Sequence, residues 1–510
     1  MLERPQNLAT LPSYAAGRFG DKIALRHNGH CYSFAELEAH IGQVAGCLIQ
    51  LGVARHHRVL LHLPNGWAWI VGYFAIARCG AVVVPVNSML TAAEIAYIAQ
   101  DCDAFAILAP TERMGAINCA LPTGHRIQLM PVRNGHTPDA AFELTGRSLS
   151  NAEPIEPLES DVSTIGYTSG TTGRAKGAVL THRAVILNTA MTANLHVRTA
   201  QDVVLTALPS AHVYGNVIMN GAFLCGYELI LLERFDAELA LEAIERHRVT
   251  LFEGVPTMYY YLLGPSALGR RDLSSLTRAT VGGQTMPVSQ LRESERGLGC
   301  PIIELWGMTE IAGLGTTHPA YGPPKLGSIG QPLPYSQCRI ASIKDPGREA
   351  EVGQPGELLF RGPTVMQGYF ERPEATSEVL LPGGWLRTGD IAYTDEEGYL
   401  FVVDRLKEMI ITGGYNIYPS EVERVIATHP AVQMVAVSGV ADAVKGELAV
   451  AYVVVKPGAQ VDDQTLLNHC RSELAAYKVP RAVCFVGDLP KTSTGKIMRR
   501  ALADLDEATI

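Results

Sequence analysis

The sequence predicts an α/β protein. A large N-terminal domain of helix-covered, mainly parallel sheets plus a small β region leads into a smaller α+β C-terminal domain. Three observations carry this. Short runs rich in valine, isoleucine and leucine, apolar on both faces, alternate with helical patterns up to about Gly327. From there Gly and Pro become frequent and short alternating runs replace them. Past Lys407 a compact strand–helix unit follows, which puts a boundary near Arg405–Lys407 and two domains at 1–406 and 407–510.

The elements follow in order. Phe34–Leu51, Thr91–Gln100 and Ala237–His247 carry helical periodicity. Val59–Leu63, Phe105–Leu108, Val203–Leu205 and Leu229–Leu232 read as buried strands. Gly66–Val86 is the most apolar stretch, but Arg78, Gly80 and Pro85 interrupt it. A membrane span wants about 20 uninterrupted apolar residues, so the stretch reads instead as helix Trp67–Ala77 followed by strand Ala81–Val84. Cys338–Ile340 and Glu357–Phe360 alternate as in an antiparallel sheet, and the turn Glu396–Gly398 precedes strand Tyr399–Val403. Ser420 and Glu423 have capping-box spacing and predict a helix start. Strands Val432–Val437 and Leu448–Val455 and helix Thr465–Leu474 complete the chain.

Composition removes several function classes. With 510 residues, 47% hydrophobic and 18% charged, the chain is globular. A formal net charge of −9 gives no general attraction to nucleic acid or anionic membrane. Ten scattered cysteines without a C-x-x-C pair read as small buried hydrophobes in a reducing compartment, not as a metal or redox site. No apolar signal core opens the sequence and no peroxisomal or prenylation signal closes it, so the expectation is a cytoplasmic protein with no integral membrane segment.

Tyr167-Thr-Ser-Gly-Thr-Thr-Gly-Arg-Ala-Lys176-Gly177 is the most informative stretch, and a strand over 161–167 leads into it. Glycines permit close backbone approach, hydroxyls and N–H groups donate to anionic oxygens, and Lys176 adds a point charge. It suits a polyphosphate. It is not a P-loop: Ala175 precedes the lysine and Gly177 follows it, so the magnesium-binding hydroxyl is missing.

Four further motifs keep the loop company: Glu304-Leu-Trp306-Gly307-Met308-Thr309-Glu310, Arg387-Thr-Gly-Asp390, Asp404-Arg405-Leu-Lys407-Glu408 and Pro490-Lys-Thr-Ser-Thr-Gly-Lys496. Together, in this order, they resemble the adenylate-forming superfamily, nearest its acyl-CoA ligase branch of fatty-acid and aryl-acid enzymes, over nearly the whole chain. The resemblance implies an ATP-dependent ligase that converts a carboxylic acid, through an acyl-adenylate, into an acyl-CoA. ATP, Mg2+ and CoA as co-substrate are the cofactors it implies.

The resemblance also implies roles. Thr168, Ser169, Gly170, Thr171, Thr172 and Lys176 would hold the β- and γ-phosphates, Thr309 the α-phosphate, and Glu310 the Mg2+. Gly282, Gly283, Gln284, Trp306, Gly307 and Met308 would surround the adenine; the family commonly has tyrosine where Trp306 stands. Asp390 reads as a turn residue that would accept from both ribose hydroxyls, with Arg405 nearby. Lys496 would swing in to bridge carboxylate and α-phosphate on a mobile C-terminal domain hinged at Lys407. Rotation there would present Gly413, Gly414, Tyr415 and Asn416 to the pantetheine arm for thioester formation.

The acid would sit beside His212, within Ser210-Ala-His-Val-Tyr214, with Tyr214, Val217, Val255, Gly282, Met308 and Gly313 as pocket residues and Gly254, Pro256 and Thr257 next to them. No aspartate lies between Leu208 and Gly226 to hold an amino group, so an amino-acid substrate is disfavoured. The neutral lining points to a hydrophobic monocarboxylate, fatty or aryl. Glu253 would oppose a second carboxylate if it faced the pocket, and the sequence leaves its direction open. Two alternatives stand beside the CoA ligase: loading of a separate acyl carrier protein, and a catalytically silent acyl- or nucleotide-binding protein.

Overall fold

The computed structural model describes residues 5, 7–142, 151–155, 157–168, 175–264, 271–343, 345–406, 408–412, 415–442, 445–492 and 497–502. Among these, a nine-stranded sheet runs in the order Gln331–Pro332, Gly313–Thr317, Ile302–Met308, Arg278–Val281, Leu251–Gly254, Val203–Thr206, Glu228–Leu231, Ile23–His27, His30–Ser33. Its central strands, from Ile302–Met308 to Ile23–His27, pair in parallel; only the edges are antiparallel. A six-stranded sheet orders Gln128–Val132, Ala104–Pro110, Arg58–Leu61, Val82–Pro85, Val162–Thr168, Lys176–Thr181, parallel except for the last pair.

Sequence sets the helices locally. Phe34–Gln50 and Ala92–Asp101 start at reciprocal capping boxes, Ser33/Glu36 and Thr91/Glu94. Trp67–Arg78 is buried on nearly every face, as its apolar run requires. It spans 12 residues, and among the described residues no helix is long and apolar enough to cross a membrane.

Gln337–Ser342, Gly356–Arg361, Leu380–Leu381, Trp385–Thr394 and Leu400–Arg405 form a five-stranded antiparallel sheet, the small β region. After it, a further sheet built on the long hairpin Val432–Asp442/Gly446–Val455 carries helices Pro419–Ile426 and Asp463–Glu473 and has its own apolar core, including Val422, Ile426, Val437, Ala451 and Leu466.

Three expectations are corrected. The Ser420/Glu423 capping box does not form. The helix begins at Pro419 behind Tyr418 with no side-chain cap; the Ser420 hydroxyl donates to the Val403 carbonyl and Glu423 binds Arg499. Asp390 lies inside strand Trp385–Thr394, not in a turn, because Gly389 takes a left-handed φ of +72° and the irregularity is absorbed within the strand. Cys31 and Cys119 are exposed; five of the other cysteines are buried.

Candidate functional site

The predicted residues gather at the carboxyl ends of the parallel strands, where open α/β sheets place their ligands. Thr168 ends its strand and pairs in register with Lys176, whose carbonyl accepts from the Thr168 hydroxyl at 3.5 Å. Ser169, Gly170, Thr171 and Thr172 lie outside the described residues. The Lys176 ammonium stands 5.3 Å from the centre of the Tyr369 ring. Tyr369 in turn donates to Glu310 Oε1 at 2.9 Å. The Tyr369 backbone runs beside strand Lys176–Thr181, bridging Ala178, so the three side chains are fixed by one local sheet contact.

Thr309 and Glu310 occupy a 3-10 turn that follows strand Ile302–Met308 directly. The turn fits against Gly166: a Cβ there would stand 2.5 Å from Thr309 Cγ2. Glu310 is 7% exposed. Burial pushes its carboxyl up, while its own backbone N–H, the Tyr369 hydroxyl and Arg405 oppose the shift. A buried carboxylate of this kind has donor chemistry that fits Mg2+, which takes one or two protein carboxylates and completes its shell with phosphates and water.

Trp306, Asp390 and Arg405 form a second cluster. The Trp306 indole N–H donates to Asp390 Oδ2 at 2.8 Å, and Arg405 Nε lies 3.2 Å from Asp390 Oδ1. Asp390 and Arg405 are register partners on adjacent strands. The indole bond uses an N–H that tyrosine lacks, which gives Trp306 a holding function beyond a flat face. Asp390 is 4% exposed.

Next to these lies an apolar cavity lined by Leu208, Pro209, His212, Val213, Tyr214, Val255, Gly283, Leu305, Gly307, Gly313 and Leu314. Of the expected acyl residues, His212, Tyr214, Val255 and Gly313 line it; Val217 is buried, and neither it nor Gly282 nor Met308 is part of the wall. Gly313, at φ +147°, must be glycine: a Cβ would meet Asn188 Oδ1 at 2.5 Å and Val217 at 2.7 Å. His212 and Val213 also line a second cavity that reaches Gly166, Tyr167 and Thr309. His212 therefore stands between the two cavities. As N-cap of helix Val213–Cys225, its Nδ1 accepts from the Tyr214 N–H at 3.3 Å, which leaves Nε2 to carry the proton of the neutral ring.

Glu253, whose direction the sequence left open, points away from the cavity. It is wholly buried in an ion pair with Arg198 at 2.7 Å and accepts from Thr280 at 3.0 Å. Gln284 meets the C-terminal segment: the backbone N–H of Ile497 donates to its Oε1 at 3.0 Å. Lys491 adds a 2.6 Å bond to Tyr261, and Tyr260 packs against the second C-terminal core. Lys407, Gly413, Gly414 and Lys496 lie outside the described residues. Tyr415 and Asn416 are exposed on a short hairpin, with Tyr415 stacked on Tyr477 at 4.8 Å.

Sequence reasoning missed Tyr369, Thr280 and Arg198. Only Tyr369 left a trace, an aromatic after a Gly in the stretch that precedes the Arg387–Asp390 motif.

Comparison with known proteins agrees with this geometry. The profile of the family described as AMP-binding enzyme matches residues 13–370, and that of the AMP-binding enzyme C-terminal domain matches 421–496. The chain is 35% identical to a long-chain-fatty-acid–CoA ligase of Bacillus subtilis strain 168, across 99% of this chain and 95% of the relative. It is 37% identical to a feruloyl-CoA synthase of an Amycolatopsis species, across 97% and 98%. The crystal structure of ATP-bound MatB from Rhodopseudomonas palustris superposes with a TM-score of 0.90 at 31% identity, covering 98% of this chain and 99% of that one.

Proposed function

The chain belongs to the AMP-binding enzyme family, and from that premise we propose that it is an ATP-dependent acyl-CoA ligase acting on a hydrophobic monocarboxylic acid. One observation carries the reading. A hydroxyl- and lysine-bearing hairpin, a buried carboxylate and a ribose-type acceptor surround the carboxyl ends of the strands, and His212 joins them to an apolar cavity.

The chemistry follows from the need to activate a carboxylate, which has no good leaving group. One carboxylate oxygen attacks the α-phosphorus of ATP, the bond to the β-phosphate oxygen breaks, and pyrophosphate leaves. The thiol of CoA then attacks the acyl carbon and AMP departs. No protein nucleophile is needed; alignment and charge neutralisation supply the rate. In this reading Thr168 and Lys176 hold phosphates and Thr309 donates to the α-phosphate. Glu310 holds Mg2+, which when bound neutralises phosphate charge. Asp390 takes the ribose hydroxyls, with Trp306 and Arg405 fixing it. His212 orients the carboxylate through Nε2.

Lys496 belongs to the first step and the 413–416 stretch to the second. The alternation requires residues 407–510 to turn as a unit about Lys407. The cellular site is the cytoplasm, where ATP and CoA are available.

Trapping with hydroxylamine tests the first step: an acid hydroxamate accumulates only with ATP, Mg2+ and a suitable acid. Adding CoA, or a phosphopantetheinylated carrier protein, to the same mixture decides the acceptor. Faster thioester formation on the carrier would replace CoA by the carrier in this scheme, and no hydroxamate with any acid would leave only a binding function.

A further inference from the structure

One wall of the apolar cavity beside His212 is a tethered ring backed by buried charge. Tyr214 is 5% exposed and lines the cavity, yet its hydroxyl reaches past the wall to Thr280 Oγ1 at 2.5 Å. Thr280 donates to Glu253 Oε2 at 3.0 Å, and Glu253 is paired with Arg198 at 2.7 Å. Neither Thr280, Glu253 nor Arg198 contributes to the cavity surface, and the two charged side chains are 0% and 1% exposed. Arg198 is fixed further by the Tyr227 hydroxyl and His196, and a second bond, from the Tyr259 hydroxyl to the Thr280 carbonyl at 2.5 Å, holds the strand behind the ring.

Two physical consequences follow. The ring cannot swing aside without breaking its bond to Thr280 in a medium where no water replaces it. If it did swing, an entering hydrocarbon chain would lie against a desolvated ion pair, the least favourable neighbour for methylene groups. A tunnel for a long chain needs apolar walls along its length, and here what lies behind the Tyr214 ring is a buried ion pair. The rest of the cavity suits a short flat tail: Gly283, Gly307 and Gly313 present no side chains, and Val255, Leu305 and Leu314 supply apolar contacts.

We infer that Tyr214, anchored through Thr280 on the buried Glu253–Arg198 pair, is a specificity-determining wall that restricts this enzyme to compact monocarboxylic acids, one aromatic ring or its equivalent in length, and refuses long-chain fatty acids. The inference rests on the ligase reading above and names the substrate class within it.

The test measures kcat/KM for acid-dependent AMP formation with benzoate, octanoate and palmitate. Wild-type protein is expected to favour benzoate over palmitate by at least 100-fold. Tyr214→Ala is expected to raise the octanoate-to-benzoate ratio at least tenfold while leaving palmitate poor, because the charge is then uncovered. Thr280→Val, which removes the tether without touching the cavity surface, moves the same ratio in the same direction by at least threefold. Palmitate used as well as benzoate by the wild type, or a ratio unmoved in both variants, overturns the wall. If no acid supports AMP formation, the ligase reading fails separately. Calorimetric titration of the wild type with benzoate and octanoate then decides the wall, which predicts tighter binding of benzoate and is overturned by equal or reversed affinities.

Discussion

The side-chain amide of Gln284 and the backbone of Ile497 hold one another reciprocally. Ile497 N–H donates to Gln284 Oε1 at 3.0 Å, and Gln284 Nε2 donates to the Ile497 carbonyl at 3.4 Å. Residues 213 positions apart are thereby joined beside the strand end at Gly282–Gly283, and Ile497 directly follows Lys496 in the chain. Gln284 is placed to position the segment that carries the proposed adenylating lysine.

Gln284→Ala should therefore weaken acyl-AMP formation and spare thioester formation from supplied acyl-AMP. Two neutral hydrogen bonds, each about 0.5–1.5 kcal/mol, correspond to a first step slower by roughly 5- to 150-fold. Lys496→Ala should slow the same step by about 10²–10³-fold, the usual cost of a lost charge-stabilising donor. Lys407→Pro should do the reverse, slowing thioester formation more. Equal losses in both half-reactions for all three variants would refute the division of labour.

Tyr369 connects Lys176 and Glu310, and its hydroxyl favours the ionised form of that buried carboxyl. Tyr369→Phe removes the donor, so the Glu310 carboxyl titrates at higher pH. The acidic limb of the kcat/KM profile for MgATP should move to higher pH, with weaker loss at alkaline pH than at neutral. A profile of unchanged shape would show that the hydroxyl does not act through Glu310.

Glu304 gives a pH signature in stability. It is 6% exposed, and burial pushes its carboxyl up to about 8, only partly opposed by the Gly327 N–H at 2.6 Å. The folded protein thus holds a proton that the unfolded chain releases above about 4.5. The stabilisation is full below that value and is lost as pH rises through about 8, by up to about 1.4 kcal/mol per unit. Glu304→Gln should flatten this slope in thermal melts between pH 5 and 8 and be the more stable form at pH 8. An unchanged slope would remove Glu304 as its source.

The Arg198–Glu253 pair should behave as a unit in folding. Arg198→Met or Glu253→Leu alone leaves an uncompensated buried charge and should cost about 3–5 kcal/mol in denaturant unfolding. The double substitution should cost less than either single one. Additive losses would mean the two groups are energetically independent.

What could be read from sequence was whatever is periodic or local. Helix Ala237–His247 has an amphipathic repeat and an Asp236 cap within the segment itself, and it forms with those bounds. The alternation of strands and helices likewise fixes the parallel sheets without knowledge of partners. Tertiary choices were not legible. The Ser420 hydroxyl had a helix N–H available by spacing and bonds to Val403 instead. Gly389-Asp390 has the letters of a turn and forms a bulge because neighbouring strands continue on both sides.

Site chemistry divides the same way. The hydroxyls and lysine of the 167–177 stretch announce themselves as a cluster in sequence. Trp306 and Asp390 are 84 positions apart, and Arg198 and Glu253 are 55 apart, so nothing local says that either pair meets. The orientation of Glu253 depended wholly on Arg198, a residue with no motif around it.

The most direct test of the central claim is exchange of labelled pyrophosphate into ATP, because it reports reversible acyl-adenylate formation with no need for CoA. With Mg2+ and benzoate the protein should incorporate label, and omission of the acid should abolish the signal. No incorporation above the acid-free background, with any carboxylic acid from benzoate to palmitate, would contradict the account.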